Sequence, residues 1–223
     1  MKVKVFHNPI KSFRIGLAVI TLTAFTYAAQ AQTQEEHSNA NVRMGQKALL
    51  EGDFKNAASY LEKALPTEGK DPNVVYLLGY SQFQSGDYKK SIDTFNKVIN
   101  LDPKNSSAYY YKAKANNSIA VNKDSKLSPS QREELLNAAI ADYTKALAIN
   151  ANDAKLYQNR AVAYRDLGIL LGTHGTDNYN KATSSQAYNK AVTDYEKVLT
   201  YDSSRKDIQT ELKKAKVYRD NLK

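Results

Sequence analysis

Apolar residues recur three and four apart in four separate stretches of this chain. The first holds Ala57, Tyr60, Leu61, Ala64 and Leu65, and the second Tyr88, Ile92, Phe95, Val98 and Ile99. The third holds Ala139, Ile140, Tyr143, Ala146 and Leu147, and the fourth Ala191, Val192, Tyr195, Val198 and Leu199. This spacing draws one apolar stripe along one side of a helix, which must find a partner surface to bury it. A second helical pattern precedes each stretch, so the elements come as helix–turn–helix pairs. Gly79, Gly86, Asp87, Tyr88 and Phe95 lie 34 residues after Gly45, Gly52, Asp53, Phe54 and Leu61, and self-similarity at that period marks a stacked array of hairpins.

The unit is clearest between Leu77 and Pro103: Leu-Gly in the first helix, Gly-Asp-Tyr at the turn, a small residue and an aromatic in the second helix, and proline at the junction. This stretch resembles a tetratricopeptide (TPR) repeat. It departs from the family pattern at Val75, Gln82 and Ser91, where Trp, Tyr and Ala are usual. The resemblance implies an all-α, right-handed solenoid of four hairpins, covering 38–71, 72–105, 106–153 and 154–205, closed by a capping helix over 206–223. In that cap Ile208, Leu212, Ala215, Tyr218 or Arg219, and Leu222 share one face, as covering a solenoid's exposed last hairpin requires.

Gly45 and Ala57 are small because the two helices of a hairpin cross there, where a larger side chain costs about 1–3 kcal/mol. Ser38 is the expected N-cap of the first helix. In the third and fourth units the second-helix pattern arrives fourteen and eighteen residues late. These inserts approximate four and five whole helical turns, so dividing each between the two helices of its hairpin keeps the stripes in phase and predicts lengthened helices. Ser128-Pro129-Ser130-Gln131 supports this as a capping-box start, and Asp177 is the expected cap of the corresponding helix in the last hairpin. The two tips, 122–132 and 171–180, are expected to project from one edge, with Leu127, Leu170, Leu171 and Tyr179 near a second contact surface.

The first 31 residues change the picture of where the protein works. Residues 1–14 are basic, Ile15 to Tyr27 is an uncharged run of thirteen, and Ala29-Gln30-Ala31 follows. That succession reads as a secretory signal cleaved after Ala31, leaving 32–37 as a short polar tail ahead of the TPR domain at 38–223. The alternative, a retained anchor, asks thirteen residues, about 20 Å of helix, to cross a hydrocarbon core of about 30 Å. The expected location is therefore the bacterial periplasm or beyond it, with membrane contact only through the leader. The formal charge of the whole chain is +9, but the leader holds Lys2, Lys4, Lys11 and Arg14, leaving 28 basic against 23 acidic residues. So mild and scattered an excess gives no nucleic-acid footprint.

Chemistry is sparse. No cysteine is present, which removes disulfides, thiolate metal sites, a cysteine nucleophile and a lipidated N-terminal cysteine. His7, His37 and His174 share no metal-ligand spacing. Asn122, Asp124 and Glu133 match three positions of a calcium loop, but Lys126 takes a ligand position and Leu127 replaces the required glycine. Asn105-Ser106-Ser107 and Asn116-Asn117-Ser118 fit a glycosylation pattern that carries meaning only in a eukaryotic secretory route. With no phosphate loop and no nucleophile elbow, the expectation is a non-enzymatic protein without cofactor or metal.

What remains is the inner surface. The resemblance implies that first-helix residues line a concave face, here Tyr76, Tyr80 and Phe83, then Tyr110, Lys114 and Asn117, then Lys155, Gln158 and Arg165. One family subset grips a partner's C-terminal carboxylate with Lys and Asn, but the matching positions are Val42, Gln46, Leu77, Ser107 and Tyr111, so that clamp is absent. The aromatic strip grading into a basic one fits a groove for a protein or peptide partner, since tyrosine and arginine favour hot spots. The plain alternative is that Tyr76 and Tyr80 only pack against the next hairpin. Two other functional classes stay open: a carbohydrate or cell-wall-polymer binder stacking sugars on the tyrosines, and a subunit of an enzyme whose active site lies on another chain.

Overall fold

The computed structural model describes residues 37–222, so the leader and most of the polar tail lie outside the described residues. Nine helices are found among them, and no strand. They are α1 Ala40–Leu50, α2 Phe54–Glu68, α3 Pro72–Gln84, α4 Tyr88–Leu101, α5 Ser106–Val121, α6 Pro129–Ile149, α7 Ala154–Gly172, α8 Lys181–Tyr201 and α9 Lys206–Asp220. Each helix packs on its neighbours in sequence, giving four stacked hairpins and a terminal helix. The first helices, α1, α3, α5, α7 and then α9, also touch one another across the repeats, whereas α2, α4, α6 and α8 do not. That asymmetry bends the stack so that the first helices form its inner face.

The turns follow from backbone chemistry. Gly52 and Gly86 take φ of 75° and 86°, the left-handed region that side chains resist, and no atom lies within 4 Å of where a Cβ would stand. The following Asp53 and Asp87 cap α2 and α4 by accepting hydrogen bonds from the N–H groups of Asn56 and Lys90. Ser128 and Gln131 form the expected capping box, with Pro129 in the first turn of α6. Two caps differ from expectation. Asn39, not Ser38, caps α1, and Asn180, not Asp177, caps α8; in each the amide oxygen reaches the free N–H groups of the first turn.

The crossings are as tight as the small residues imply. A Cβ on Gly45 would sit 2.7 Å from Leu61 Cγ, and one on Gly79 3.1 Å from the Phe95 ring. Ala113 with Tyr143, and Ala161 with Tyr195, occupy the same places in the cores of the third and fourth hairpins.

The inserts are helical. Helices α5 to α8 run 16, 21, 19 and 21 residues, against 11, 15, 13 and 14 for α1 to α4. The added length repeats the crossing two turns further out. Gly168 lies seven residues past Ala161 and Tyr188 seven before Tyr195, and a Cβ on Gly168 would meet the Tyr188 ring at 2.9 Å. Ala120 and Leu136, at the same offsets in the third hairpin, share a buried cluster with Leu167, Leu171 and Ala187. Leu171, expected near a contact surface, is therefore core, 2% exposed.

The two tips are bound to each other. The Ser130 hydroxyl donates to Asn178 Oδ1 at 3.1 Å, and Asn178 Nδ2 donates to Glu133. Arg132 fixes the 122–128 loop by donating to the carbonyls of Ala120, Asn122 and Ser125. At the other end, α9 buries Ile208 and Ala215 against the fourth hairpin, as a cap should.

Candidate partner-binding surface

Tyr76, Tyr80 and Phe83 fall on one side of α3, but they are not equally displayed. Phe83 is 7% exposed and belongs to the core, while Tyr76 and Tyr80 are half-buried. On the next first helix Tyr110, 6% exposed, is core as well. What joins these rings is Tyr111, which sequence reasoning met only as a missing clamp position. Its ring lies 6.2 Å from Tyr76, 5.2 Å from Tyr80, 5.4 Å from Phe83 and 4.9 Å from Tyr110, all edge-on, and stacks on Phe95 at 5.8 Å. Three successive tyrosines, 109–111, offer no periodic signal to say which one takes this place.

Edge-on contacts of this kind add about 0.5–1.5 kcal/mol per pair beyond burial, so the cluster is rigid and its outer rims are held in place. Burial pushes the Tyr76 phenol up to about 12, with Tyr111 adding to it, and pushes Tyr110 and Tyr111 up as well. All three stay neutral at physiological pH. Between α3, α5 and α7 a cleft of about 190 Å³ opens against Tyr76, Ser107, Tyr110, Tyr111, Asp153 and Lys155.

The basic part of the strip is shorter than the sequence implied. Arg165 is held by Asp166 at 2.8 Å and by Glu211 of α9, so its charge is matched within the fold. Gln158 accepts from Arg205 at 3.2 Å, and Asn117 donates to Asp166 at 3.3 Å. These three expected groove residues thus tie α5, α7 and α9 together. Lys114 and Lys155 remain. The ammonium of Lys114 lies 5.2 Å from the Phe83 ring centre and 5.8 Å from that of Tyr110, while Lys155 approaches Tyr110 to 4.7 Å.

Two ion pairs escaped the sequence. Lys112 meets Asp142 at 3.2 Å, and Arg160 holds Asp194 by two bonds of 2.8 Å. They occupy equivalent places in the third and fourth hairpins, and both aspartates sit on the apolar sides of second helices, 7% and 3% exposed. An acid beside the buried Tyr143 and Tyr195 is the trace that could have revealed them.

Comparison with known proteins places this geometry. Residues 51–120, under a third of the chain, match the sequence family described as anaphase-promoting complex, cyclosome, subunit 3. The TPR repeat-containing protein YpiA of Bacillus subtilis is 29% identical over 110 residues, 46% of this chain and 26% of its own length. The human DnaJ homolog subfamily C member 7 is 27% identical over 160 residues, 69% of this chain and 25% of its own. The match thus spans about a quarter of the length of these curated relatives.

Among solved structures, the MamA RS-1 ArsTM double mutant superposes with a TM-score of 0.62 at 18% identity, covering 83% of this chain and 89% of that one. MamA 41-end from Desulfovibrio magneticus RS-1 gives 0.51 at 19%, covering 80% and 92%. At such identities the likeness speaks for the fold alone, and with the repeat pattern and the helix pairing it leads to one conclusion: the chain folds as a TPR-like all-α solenoid of four hairpins with a capping helix.

Proposed function

We propose that this protein is an exported, non-enzymatic interaction module that holds an extended segment of a protein partner along its first-helix face. The observation that carries the reading is the cleft between α3, α5 and α7, walled by the fixed rims of Tyr76 and Tyr111 beside the half-buried Tyr80. A solenoid of short helices presents an elongated inner surface, and rigid aromatics there can desolvate one or two apolar anchors at little entropic cost. Stacking on sugar is less favoured by this arrangement, because a sugar needs an open ring face and that of Tyr111 lies against Phe95 at an interplanar angle of 13°. Export is supported by the basic, apolar and small-residue succession of residues 1–31, and places the work in the periplasm or outside the cell.

Purification from the native envelope tests both parts. A mature mass beginning at Gln32, together with a defined protein that co-purifies and is lost with Tyr80→Ala, supports the reading. Recovery of the uncleaved chain from the cytoplasm removes export, and retention on cell-wall polymer without protein removes the peptide groove.

A further inference from the structure

The third hairpin outgrows the second. Helix α6 starts ten residues before Ala139, whereas α4 starts three before Ser91, the residue at the same place in its own hairpin. The difference, about two turns and 10 Å of helix, leaves the start of α6 and the end of α5 standing clear of the second hairpin. A groove of about 470 Å³ runs along this step, with Ile92, Ile119, Leu127 and Leu135 as its apolar wall. It shares no residue with the cleft at Tyr76 and Tyr111.

The fourth hairpin shows what such a face meets when it is covered. The offsets that carry Ala113 to Ala161 and Tyr143 to Tyr195 also carry Ile119 to Leu167 and Leu135 to Ala187. Leu167 and Ala187 are 6% and 3% exposed, because the lengthened tip of the preceding hairpin covers them with Ala120 and Leu136. Ile119 and Leu135 have only the short second hairpin before them and stay half-buried. A second copy of the chain has no free tip to lay on them. Its equivalents of Ala120 and Leu136 are Gly168 and Tyr188, and α9 occupies that side, with the Tyr218 ring 6.0 Å from that of Tyr188.

The polar rim says more about the occupant. Asp93 on α4 and Glu134 on α6 line the groove without an ion-pair partner among the described residues, against the one ammonium of Lys89. Asn116, 4% exposed, lines it too, and its carboxamide makes no hydrogen bond among the described residues. Gln82, its equivalent in the second hairpin, by contrast accepts from Thr94 and donates to Glu62. We infer that the step binds one α-helix of a protein partner, which lays two aliphatic side chains a turn apart on Ile119 and Leu135 and brings a lysine or arginine to Asp93, Asn116 and Glu134. A helix fits because helices cover the equivalent face in the fourth hairpin, and a step of this depth matches the width of one helix, about 10 Å. A basic side chain fits because carboxylates outnumber the ammonium and the Asn116 oxygen is an unused acceptor.

The probe is a synthetic alanine–glutamine helix of about twenty residues with leucines at i and i+4 and an arginine at i+7, all on one side. Two controls replace the leucines, or the arginine, by glutamine. Each peptide is titrated into the protein while isoleucine and leucine methyl and tyrosine ring NMR signals are followed. The probe is expected to shift Ile119, Leu127 and Leu135 and to leave the rings of Tyr76 and Tyr111 unmoved. Loss of the leucines should weaken binding by about tenfold or more, and loss of the arginine by about threefold. Glu134→Gln, at an exposed position, should cost the probe the same threefold and the arginine-free control nothing; circular dichroism confirms that the variant is folded. Equal binding of the probe and the leucine-free control, or no shift at the three aliphatic residues, overturns the inference. If the probe moves Tyr76 and Tyr111 instead, it occupies the cleft, so the step is wrong while the proposed groove stands. If the three methyl signals shift with protein concentration alone, a second copy covers the step and the partner helix is refuted.

Discussion

Gly168→Ala probes the lengthened fourth hairpin at its tightest point. The added methyl would stand 2.9 Å from Cε1 and Cζ of Tyr188 and 3.0 Å from Cδ1, roughly an ångström inside ordinary contact. Tyr188 is 3% exposed and cannot swing clear, so the ring or the helix must shift at a cost of about 1–3 kcal/mol. Against this, alanine in a helix interior gains about 1 kcal/mol over glycine. The net expectation is a loss of about 0–2 kcal/mol.

The two contributions separate in a double-mutant cycle. In a Tyr188→Ala background the obstruction is gone, so Gly168→Ala should then stabilise by about 1 kcal/mol, a coupling of about 1–3 kcal/mol. Urea denaturation followed by far-UV circular dichroism on the four proteins gives the cycle. If Gly168→Ala stabilises the native protein by the full helix-propensity gain and no coupling to Tyr188 appears, the added turns do not cross as described.

Gly86→Ala meets no atom within 4 Å but must hold φ at 86°, so it should cost about 1–2 kcal/mol through the backbone alone, with the same loss for larger residues in urea melts. Arg160→Ala leaves Asp194 buried and unmatched and should cost about 3–5 kcal/mol, whereas Arg160→Met with Asp194→Leu should recover most of it; equal losses in both would refute the pairing. Glu211 is held below its ordinary value of 4.5 by Lys214 and Arg165, so the stability it contributes is complete above that value and is lost as pH falls through its lower folded value. The protection factors of α9 amides, exchange rates corrected for their intrinsic pH dependence, should therefore fall in acid in the native protein. In Glu211→Gln they should already be lower at neutral pH and depend less on acid.

The fold was legible because its determinants are local. Gly45 and Gly79 reveal crossings, Gly-Asp reveals turns, and Ser128 with Gln131 reveals a helix start, each within a few residues of what it causes. The lengthened helices followed from whole-turn arithmetic. The caps were missed by a few residues because Ser38 and Asn39, or Asp177 and Asn180, are alike in chemistry, and chain geometry chooses between them.

The surface was legible only in part. Repeat position says which residues face inward but not how far, so Phe83 and Tyr110 were grouped with the half-buried Tyr76 and Tyr80. The neutralising of Arg165 depends on Glu211, 46 residues away, and on the angle at which α9 docks, which no local pattern encodes. Tyr111 gathers rings from three helices, and its importance lies in their meeting rather than in its own neighbours along the chain.

The central claim is that the first-helix face, at Tyr80, holds a protein partner. A photo-crosslinking side chain placed at position 80, and in a separate variant at Lys145 on the exposed side of α6, tests it in the native cell. The account predicts a discrete protein adduct from position 80 that is absent from position 145. Equal labelling from both, adducts from position 145 alone, or a polymer smear without a protein band would contradict it.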